Sequence, residues 1–368
     1  MMNPDLVPDN DYLLLTPGPL STSKRVRAAM LQDWCTWDDS YNQLTQQVRS
    51  RLVELAGSDE YVAVPMQGSG SFVVESLLGS VVGPDHALLV LANGAYGRRI
   101  GQICQVLGIS HHMVDVGDVG VVDAEVAHRG LAEFPQATHV AVVHCETTTG
   151  VLNPLDEVAP VVTASGRKLL VDAMSSFGGV PIDLAGLGID HLVSSANKCI
   201  QGVPGFGFVL SRRTELEQVQ HAPRSLALDL VGQWRAMEQG EGKWRFTSPT
   251  HVVHAFAEAL TELAEEGGVE ARHDRLARNQ VTLVEGLAAL GLHPVVERRF
   301  QSPVITAFRY PEGPFDFAAL YQGLKREGFV IYPGKVSQLV TFRVGTIGDV
   351  QPADIDRLCA AFARLRHW

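Results

Sequence analysis

Between residues 61 and 210 the chain alternates two textures. Short, almost unbroken apolar runs occupy 61–66, 87–92, 112–116, 139–144, 168–172, 191–195 and 206–210. Runs of that length, rich in valine and leucine, are what strands buried on both faces look like. The spacers carry apolar residues at helical spacing instead, as in Phe72-Val-Val-Glu-Ser-Leu-Leu78 and Ile100-Gly-Gln-Ile-Cys-Gln-Val-Leu107. Strand and helix in alternation predict an α/β fold with a mostly parallel sheet flanked by helices. Ligands of such sheets sit beyond the C-terminal ends of the strands, so the loops after each run are where chemistry is sought.

From about residue 250 the pattern changes. Residues 251–266 and 269–290 read as long helices, the second rich in charge. Short strands at 302–310, 329–332 and 340–344 then alternate with helices at 316–327 and 351–364, which reads as a smaller α+β C-terminal domain. The expected division is an N-terminal arm over 1–20, a large domain over 21–265 and a small domain over 266–368. In the arm, Leu13-Leu-Leu-Thr-Pro-Gly-Pro19 sets two prolines around a glycine, a stiff turn with an open backbone. It reads either as a plain terminal arm or as one laid across an active-site mouth. The segment Asp33-Trp-Cys-Thr-Trp-Asp-Asp-Ser-Tyr-Asn42 is dense in aromatics and carboxylates, as loops packed at interfaces are.

Composition narrows the partners. With 368 residues the chain can bury a large core, and no fixed-period repeat or low-complexity tract interrupts it. A net charge of -11 argues against nucleic acid as the main partner, although a local pocket can still be positive for a small anion. Five cysteines, an odd number with no CxxC pair, fit reduced thiols in a cytoplasm rather than a disulfide framework or a zinc site. The opening Met-Met-Asn-Pro-Asp lacks a signal pattern, and no apolar run is long enough to cross a bilayer, so no membrane association is expected.

Candidate chemistry centres on Ser194-Ser-Ala-Asn-Lys-Cys-Ile-Gln-Gly-Val-Pro-Gly205. Lys198 lies between two apolar strands. Desolvation lowers an ammonium pKa, and a neutral amine condenses with a carbonyl. A lysine before a glycine turn is by itself ordinary surface. Asp172, at the end of Lys168-Leu-Leu-Val-Asp172, changes that. A lysine to hold an aldehyde and a carboxylate to keep a pyridine nitrogen protonated are what pyridoxal 5'-phosphate requires.

Other strand ends supply small polar groups. Gln67-Gly-Ser-Gly-Ser71 opens a helix, where free amides favour a phosphate; a plain Gly/Ser helix start is the alternative. Asn93-Gly-Ala-Tyr-Gly-Arg98 offers Tyr96 as a face to stack on a ring or as an ordinary loop tyrosine. Cys145-Glu-Thr-Thr-Thr-Gly150 brings hydroxyls that reach a ligand or cap a turn. In Thr341-Phe-Arg-Val-Gly345, Arg343 either aims at the cleft, where a guanidinium grips carboxylate or phosphonate, or makes a surface ion pair. In Lys243-Trp-Arg-Phe-Thr-Ser-Pro249, Thr247 and Ser248 cap the next helix or reach a neighbouring subunit's phosphate. His144, His191 and His251 lack metal-ligand spacing and read as packing residues, so no metal is expected. Cys199 reads as a sulfur-transfer nucleophile or, more commonly for such a position, a buried inert thiol.

Taken together the chain resembles the class V aminotransferase group of fold type I pyridoxal phosphate enzymes. The resemblance is carried by Leu14-Leu-Thr-Pro-Gly-Pro-Leu20, Asp33-Trp-Cys-Thr-Trp-Asp38, Gln67-Gly-Ser-Gly70, Asn93-Gly-Ala-Tyr-Gly97, Cys145 to Gly150, Asp172-Ala-Met-Ser-Ser-Phe177, Ser195-Ala-Asn-Lys-Cys-Ile200 and Phe342-Arg-Val-Gly345, in the group's order over nearly the whole chain. The tryptophan-rich stretch and the Ala-Asn-Lys-Cys-Ile segment resemble the branch that moves the amino group of 2-aminoethylphosphonate to pyruvate, as opposed to alanine–glyoxylate relatives. Ser71 stands where that branch usually has threonine, and Thr346 where it usually has asparagine. The resemblance implies a large domain that binds pyridoxal 5'-phosphate, with Lys198 as the lysine joined to the cofactor and Asp172 on its ring nitrogen. Ser69, Gly70 and Ser71 would hold the phosphate, joined by Thr247 from the other subunit of a homodimer. Tyr96 would stack on the ring, Thr147 would meet its 3-oxygen side, Met174 and Asn197 would line it, and Arg343 and Gly18 would contact the substrate. Other readings stay open: an alanine– or serine–glyoxylate aminotransferase, a sulfur-transfer lyase using Cys199, or a non-catalytic dimer that keeps the fold.

Overall fold

The structure is a computed structural model that describes residues 4–334 and 339–368. A short strand in the arm, β1 (Leu13–Leu14), precedes helices α1 (Lys24–Ala29) and α2 (Asp39–Ala56). Strand and helix then alternate: β2 (Tyr61–Gln67), α3 (Gly70–Val81), β3 (Ala87–Ala92), α4 (Ala95–Leu107), β4 (Ser110–Asp115), α5 (Ala124–Glu133) and β5 (His139–Val143). A small hairpin, β6 (Cys145–Glu146) and β7 (Val151–Leu152), leads to α6 (Leu155–Ala164), β8 (Lys168–Asp172), β9 (His191–Ser195) and β10 (Phe206–Arg212). Helices α7 (Arg213–Glu217), α8 (Leu230–Gln239), α9 (Thr250–Glu266) and α10 (Gly268–Ala288) follow, and the chain ends with β11 (Ile305–Arg309), α11 (Phe317–Arg326), β12 (Phe329–Val330), β13 (Tyr332–Pro333), β14 (Thr341–Gly345) and α12 (Pro352–Arg364).

The large sheet has seven strands in the order β2-β10-β9-β8-β5-β3-β4. The run from β9 to β4 is parallel throughout, whereas β10 is antiparallel to both β9 and β2. The expectation of a mostly parallel sheet therefore holds. Successive residues of one strand feed opposite cores, the period-2 signature of a sheet covered on both sides. Leu89 and Leu91 belong to the core under α2, α5, α6 and α9, while Leu88 and Val90 belong to the core under α3, α4 and α8. Strand β4 starts two residues before the expected position and is half exposed, because it is the sheet's edge and needs an apolar pattern on one side only.

Between α9 and α10 the chain turns at Gly267 and Gly268, with φ of 109° and 84°, a left-handed conformation that favours glycine. The apolar side of α9 lies in a core of the large sheet, whereas Leu283 and Leu287 of α10 join a separate core with Phe308, Phe342, Leu358 and Phe362. That second core covers a three-stranded sheet of order β11-β14-β13. The arm belongs with it: Leu13 and Leu14 pair in parallel with Phe329 and Val330, and Leu15 is buried in the same core. Ser248 does not cap α9, whose first turn has no side-chain cap; its hydroxyl instead meets the Tyr41 hydroxyl at 2.6 Å. No helix among the described residues is long and apolar enough to cross a membrane.

Three imidazoles are locked in the interior. His139 and His191 are pushed down to about 3 and His144 to about 4, each chiefly by burial. A lowered imidazole pKa gives stability that is full above the unfolded value near 6.5 and is lost as pH falls below it, at about 2 kcal/mol per imidazole by pH 5. Asp172, raised to about 6 by burial, works in the opposite sense, returning about 1 kcal/mol over the same interval. Glu146, Asp190 and Glu262, also raised by burial, act in the same sense as Asp172. The three imidazoles are expected to outweigh them, so the thermal midpoint should drop between pH 6.5 and pH 5; a midpoint that stays level down to pH 5 would contradict the buried neutral state of these histidines.

Candidate active site

Five chain segments converge beyond the C-terminal edge of the parallel strands. Gln67 ends β2 and Gly68, at φ 117°, turns the chain into α3. Asn93 and Gly94 link β3 to α4; the β6–β7 hairpin follows β5; Asp172 closes β8; and the turn after β9 carries Lys198. Together they enclose a cavity of about 210 Å³. Ser69, Gly70, Ser71, Tyr96, Asp172, Met174, Asn197 and Lys198 all line it. Eight of the positions singled out in the sequence are thus brought together, from elements up to 130 residues apart in the chain.

Lys198 and Asp172 set the chemistry. Burial holds the Lys198 ammonium down at about 8, partly offset by the Asp172 charge, and the Arg343 charge depresses it further. Asp172 is 7% exposed, and burial raises its carboxyl to about 6 against the pull of the Met174 amide, which donates to it at 2.9 Å. At pH 8 and above, this leaves an ionised acid and an amine with a large neutral fraction in the same pocket. The Lys198 ammonium donates to the Pro17 carbonyl at 2.5 Å. Gly18 has φ 114°, and a Cβ there would stand 2.9 Å from Lys198 Nζ, so only glycine lets the arm come this close. The arm does lie across the mouth, and it reaches it from the small sheet: Leu15 N donates to Val330 O at 2.8 Å and Gly345 N to Leu15 O at 2.9 Å.

Arg343 is buried at 4% exposure, and its partners are carbonyls, not a surface carboxylate. Its Nε donates to Pro333 O at 3.1 Å and its Nη1 to Thr147 O at 2.9 Å, so it joins the small sheet to the large domain's hairpin. Burial lowers its pKa, and none of the described carboxylates pairs with it. Thr147 is not part of the cavity lining; its buried hydroxyl has no hydrogen-bond partner among the described residues. Thr247 is exposed and does not line the cavity of its own chain. Thr346 is buried, and its hydroxyl donates to the Pro303 carbonyl. Cys199 donates to Ser175 O at 3.1 Å and is pushed up to about 12 by burial, which is an inert thiol and no nucleophile. His144 and His191 hydrogen-bond Ser176 and Ser211 in the interior, and His251 meets Asp33 at the surface.

The residues fit pyridoxal 5'-phosphate on features of the pocket itself. The hydroxyl of Ser195, on the cavity wall, is buried without a partner among the described residues, as a polar atom awaiting a ligand is. A Cβ on Gly70 would lie 2.6 Å from Met174 Sδ, so the helix start packs directly on the Met174 side chain. Ser69 precedes α3 without using its hydroxyl as a cap.

Two site residues escaped the sequence reading. Glu146 is fully buried and ties two loops together: it accepts from Tyr96 N at 3.1 Å through one oxygen and from Thr148 Oγ1 at 2.7 Å through the other. It lay inside a motif read for its threonines alone. Arg99 lines the cavity and donates to Ser71 Oγ at 2.9 Å. Its position three residues after Tyr96, on the same side of α4, was the available signal.

The family model of the class-V aminotransferases matches residues 36–343. A 2-aminoethylphosphonate–pyruvate transaminase of Phocaeicola vulgatus is 56% identical over 95% of this chain and 98% of its own length. One of the same name from Aeromonas hydrophila is 57% identical over 97% of this chain and 96% of its own. Among solved structures, a pyridoxamine–pyruvate aminotransferase from Mesorhizobium loti superposes with a TM-score of 0.87 at 26% identity, covering 96% of this chain and 93% of that one. An alanine–glyoxylate aminotransferase from Nostoc sp. shares the fold with a TM-score of 0.90 at 24% identity, covering 98% and 96%.

In cofactor-free protein, Lys198 should titrate near 8, read as the pH midpoint of its competitive acetylation against an internal standard. A midpoint above 10 would show a solvated amine and contradict the cavity's electrostatics.

Proposed function

The chain belongs to the class-V aminotransferases, and from that premise we propose that it is a pyridoxal phosphate enzyme transferring the amino group of 2-aminoethylphosphonate to pyruvate, giving phosphonoacetaldehyde and L-alanine. The observation that carries the proposal is the joint placement of Lys198 and Asp172 in one pocket; Arg343, outside the lining of that pocket, is buried on the Thr147 carbonyl with no carboxylate partner among the described residues. The relatives that share more than half of the sequence, over nearly all of it, carry the name of this reaction.

Bound there, pyridoxal 5'-phosphate supplies an aldehyde for amines and a ring that draws electrons from the carbon bearing the amine. Asp172, an anion above about pH 6, would keep the ring nitrogen protonated. Ser69, Gly70 and Ser71 would hold the phosphate, Tyr96 the ring face, and Met174 and Asn197 its surroundings, with the Thr147 hydroxyl toward the 3-oxygen. Lys198, with its pKa near 8, is the base that takes a proton from the substrate carbon and returns it on the other side of the reaction. Arg343 binds the substrate anion. Phosphonate and carboxylate are both compact oxyanions, so one guanidinium serves the donor and the acceptor in turn. Gly18 leaves room for that substrate beside the lysine.

We read the working unit as a homodimer with shared sites. Phe72 and Phe246 are each about half exposed, next in sequence to Ser71 and Thr247, apolar surface that a second copy would cover while delivering Thr247 to the phosphate. Five free cysteines fit a cytoplasmic enzyme.

An amino-donor screen with pyruvate as acceptor tests the substrate: 2-aminoethylphosphonate should give the highest kcat/KM, whereas a preference for alanine or serine with glyoxylate would overturn the assignment. Lys198→Ala should abolish turnover and the visible absorbance of the bound cofactor. Arg343→Ala should raise KM for both substrates, by roughly 10- to 100-fold given the worth of a charge-assisted bidentate contact; a change in only one of them would end the shared-anion reading.

A further inference from the structure

Two helices begin at the cavity, and their positive ends are treated differently. At α4 the buried Glu146 carboxylate sits on the Tyr96 amide and neutralises the helix start. At α3 nothing equivalent exists among the described residues: Gly70 and Ser71 precede the first intrahelical bond, from Phe72 N to Ser69 O, and no side chain caps the end.

Beside that uncapped end stands Arg99. Its guanidinium is half-buried, lies 5.1 Å over the Tyr96 ring and donates to Ser71 Oγ at 2.9 Å. Its neighbour Arg98 points away and pairs with Asp115 and Asp118, at 2.6 and 2.5 Å. Arg99 has no carboxylate within ion-pairing reach among the described residues, although it is near enough for its charge to depress Asp172. A cation held in place from two sides in the wall of a cavity, with no carboxylate in contact, is open to an anion that enters the cavity beside the free amides of α3.

We propose that Arg99 binds the phosphate ester of the cofactor, with Ser71 as the hydroxyl that orients its guanidinium. This rests on the reading that the pocket holds pyridoxal 5'-phosphate, and adds to it a cation that the helix start and the serines do not supply. The Arg99–Ser71 bond also gives the serine at position 71 a use: it spans the distance from the helix to α4.

The test compares pyridoxal 5'-phosphate with pyridoxal, which has the same ring and aldehyde but no phosphate. Each is titrated by equilibrium dialysis into cofactor-free wild-type protein, Arg99→Gln and Arg99→Lys. Arg99→Gln should weaken pyridoxal 5'-phosphate by about 10- to 100-fold, as expected for a lost charge-assisted contact, and leave pyridoxal within about two-fold of wild type. Arg99→Lys, which keeps the charge, should fall between. Equal losses for both ligands, or no loss for either, would overturn the proposal. If Arg99→Gln does not fold, the same ratio measured on Arg99→Lys decides. Wild-type protein that takes up pyridoxal 5'-phosphate in these titrations keeps the cofactor reading intact whatever the Arg99 variants do, so the two can fail separately.

Discussion

Taking an amine and an acid out of water together is the constraint on which the site is built. Either group alone in such a cavity would be costly; burial shifts them in opposite directions, the lysine down to about 8 and the acid up to about 6, and each charge partly opposes the other's shift. The shift in each comes first from burial, and burial comes from the sheet. Asp172 is the last residue of a central strand, and Lys198 follows the neighbouring strand, so parallel pairing of Leu170 with His191 and Asp172 with Val193 fixes where both side chains emerge. The reactivity is therefore a property of the register of two strands, with the loops shaping access.

The three-stranded sheet and its core lie close against the site. Their contribution arrives through two backbone-level contacts. Arg343 is clamped to the Thr147 carbonyl, and the arm that is paired to β12 and bonded to Gly345 lays the Pro17 carbonyl on Lys198. Arg343 and the peptide that touches Lys198 are thus both tied to β14.

Much of this was legible in the sequence, for reasons particular to each part. The buried strands were readable because both of their faces need apolar side chains, and the edge strand β4 was placed least well because only one of its faces does. Lys198, Asp172, Ser69, Gly70, Ser71 and Tyr96 were readable because glycine turns and strand ends mark the ligand edge of a parallel sheet. Arg343 could not be told from a surface arginine until its partners were seen to be carbonyls. Glu146 and Arg99 were missed because their significance is relational: one accepts from a helix start reached across the fold, and the other has no carboxylate partner among the described residues. No local pattern encodes either fact.

Asp172 is expected to stay ionised against the ring of a bound cofactor and to hold a proton there. The direct measurement is the 15N chemical shift of ring-labelled pyridoxal 5'-phosphate bound to the protein, followed from pH 6.5 to 9 in wild type and in Asp172→Asn. The account expects a protonated ring nitrogen throughout that range in wild type and an unprotonated one in the variant. A nitrogen that is unprotonated in wild type, or that is indifferent to the substitution, would contradict it.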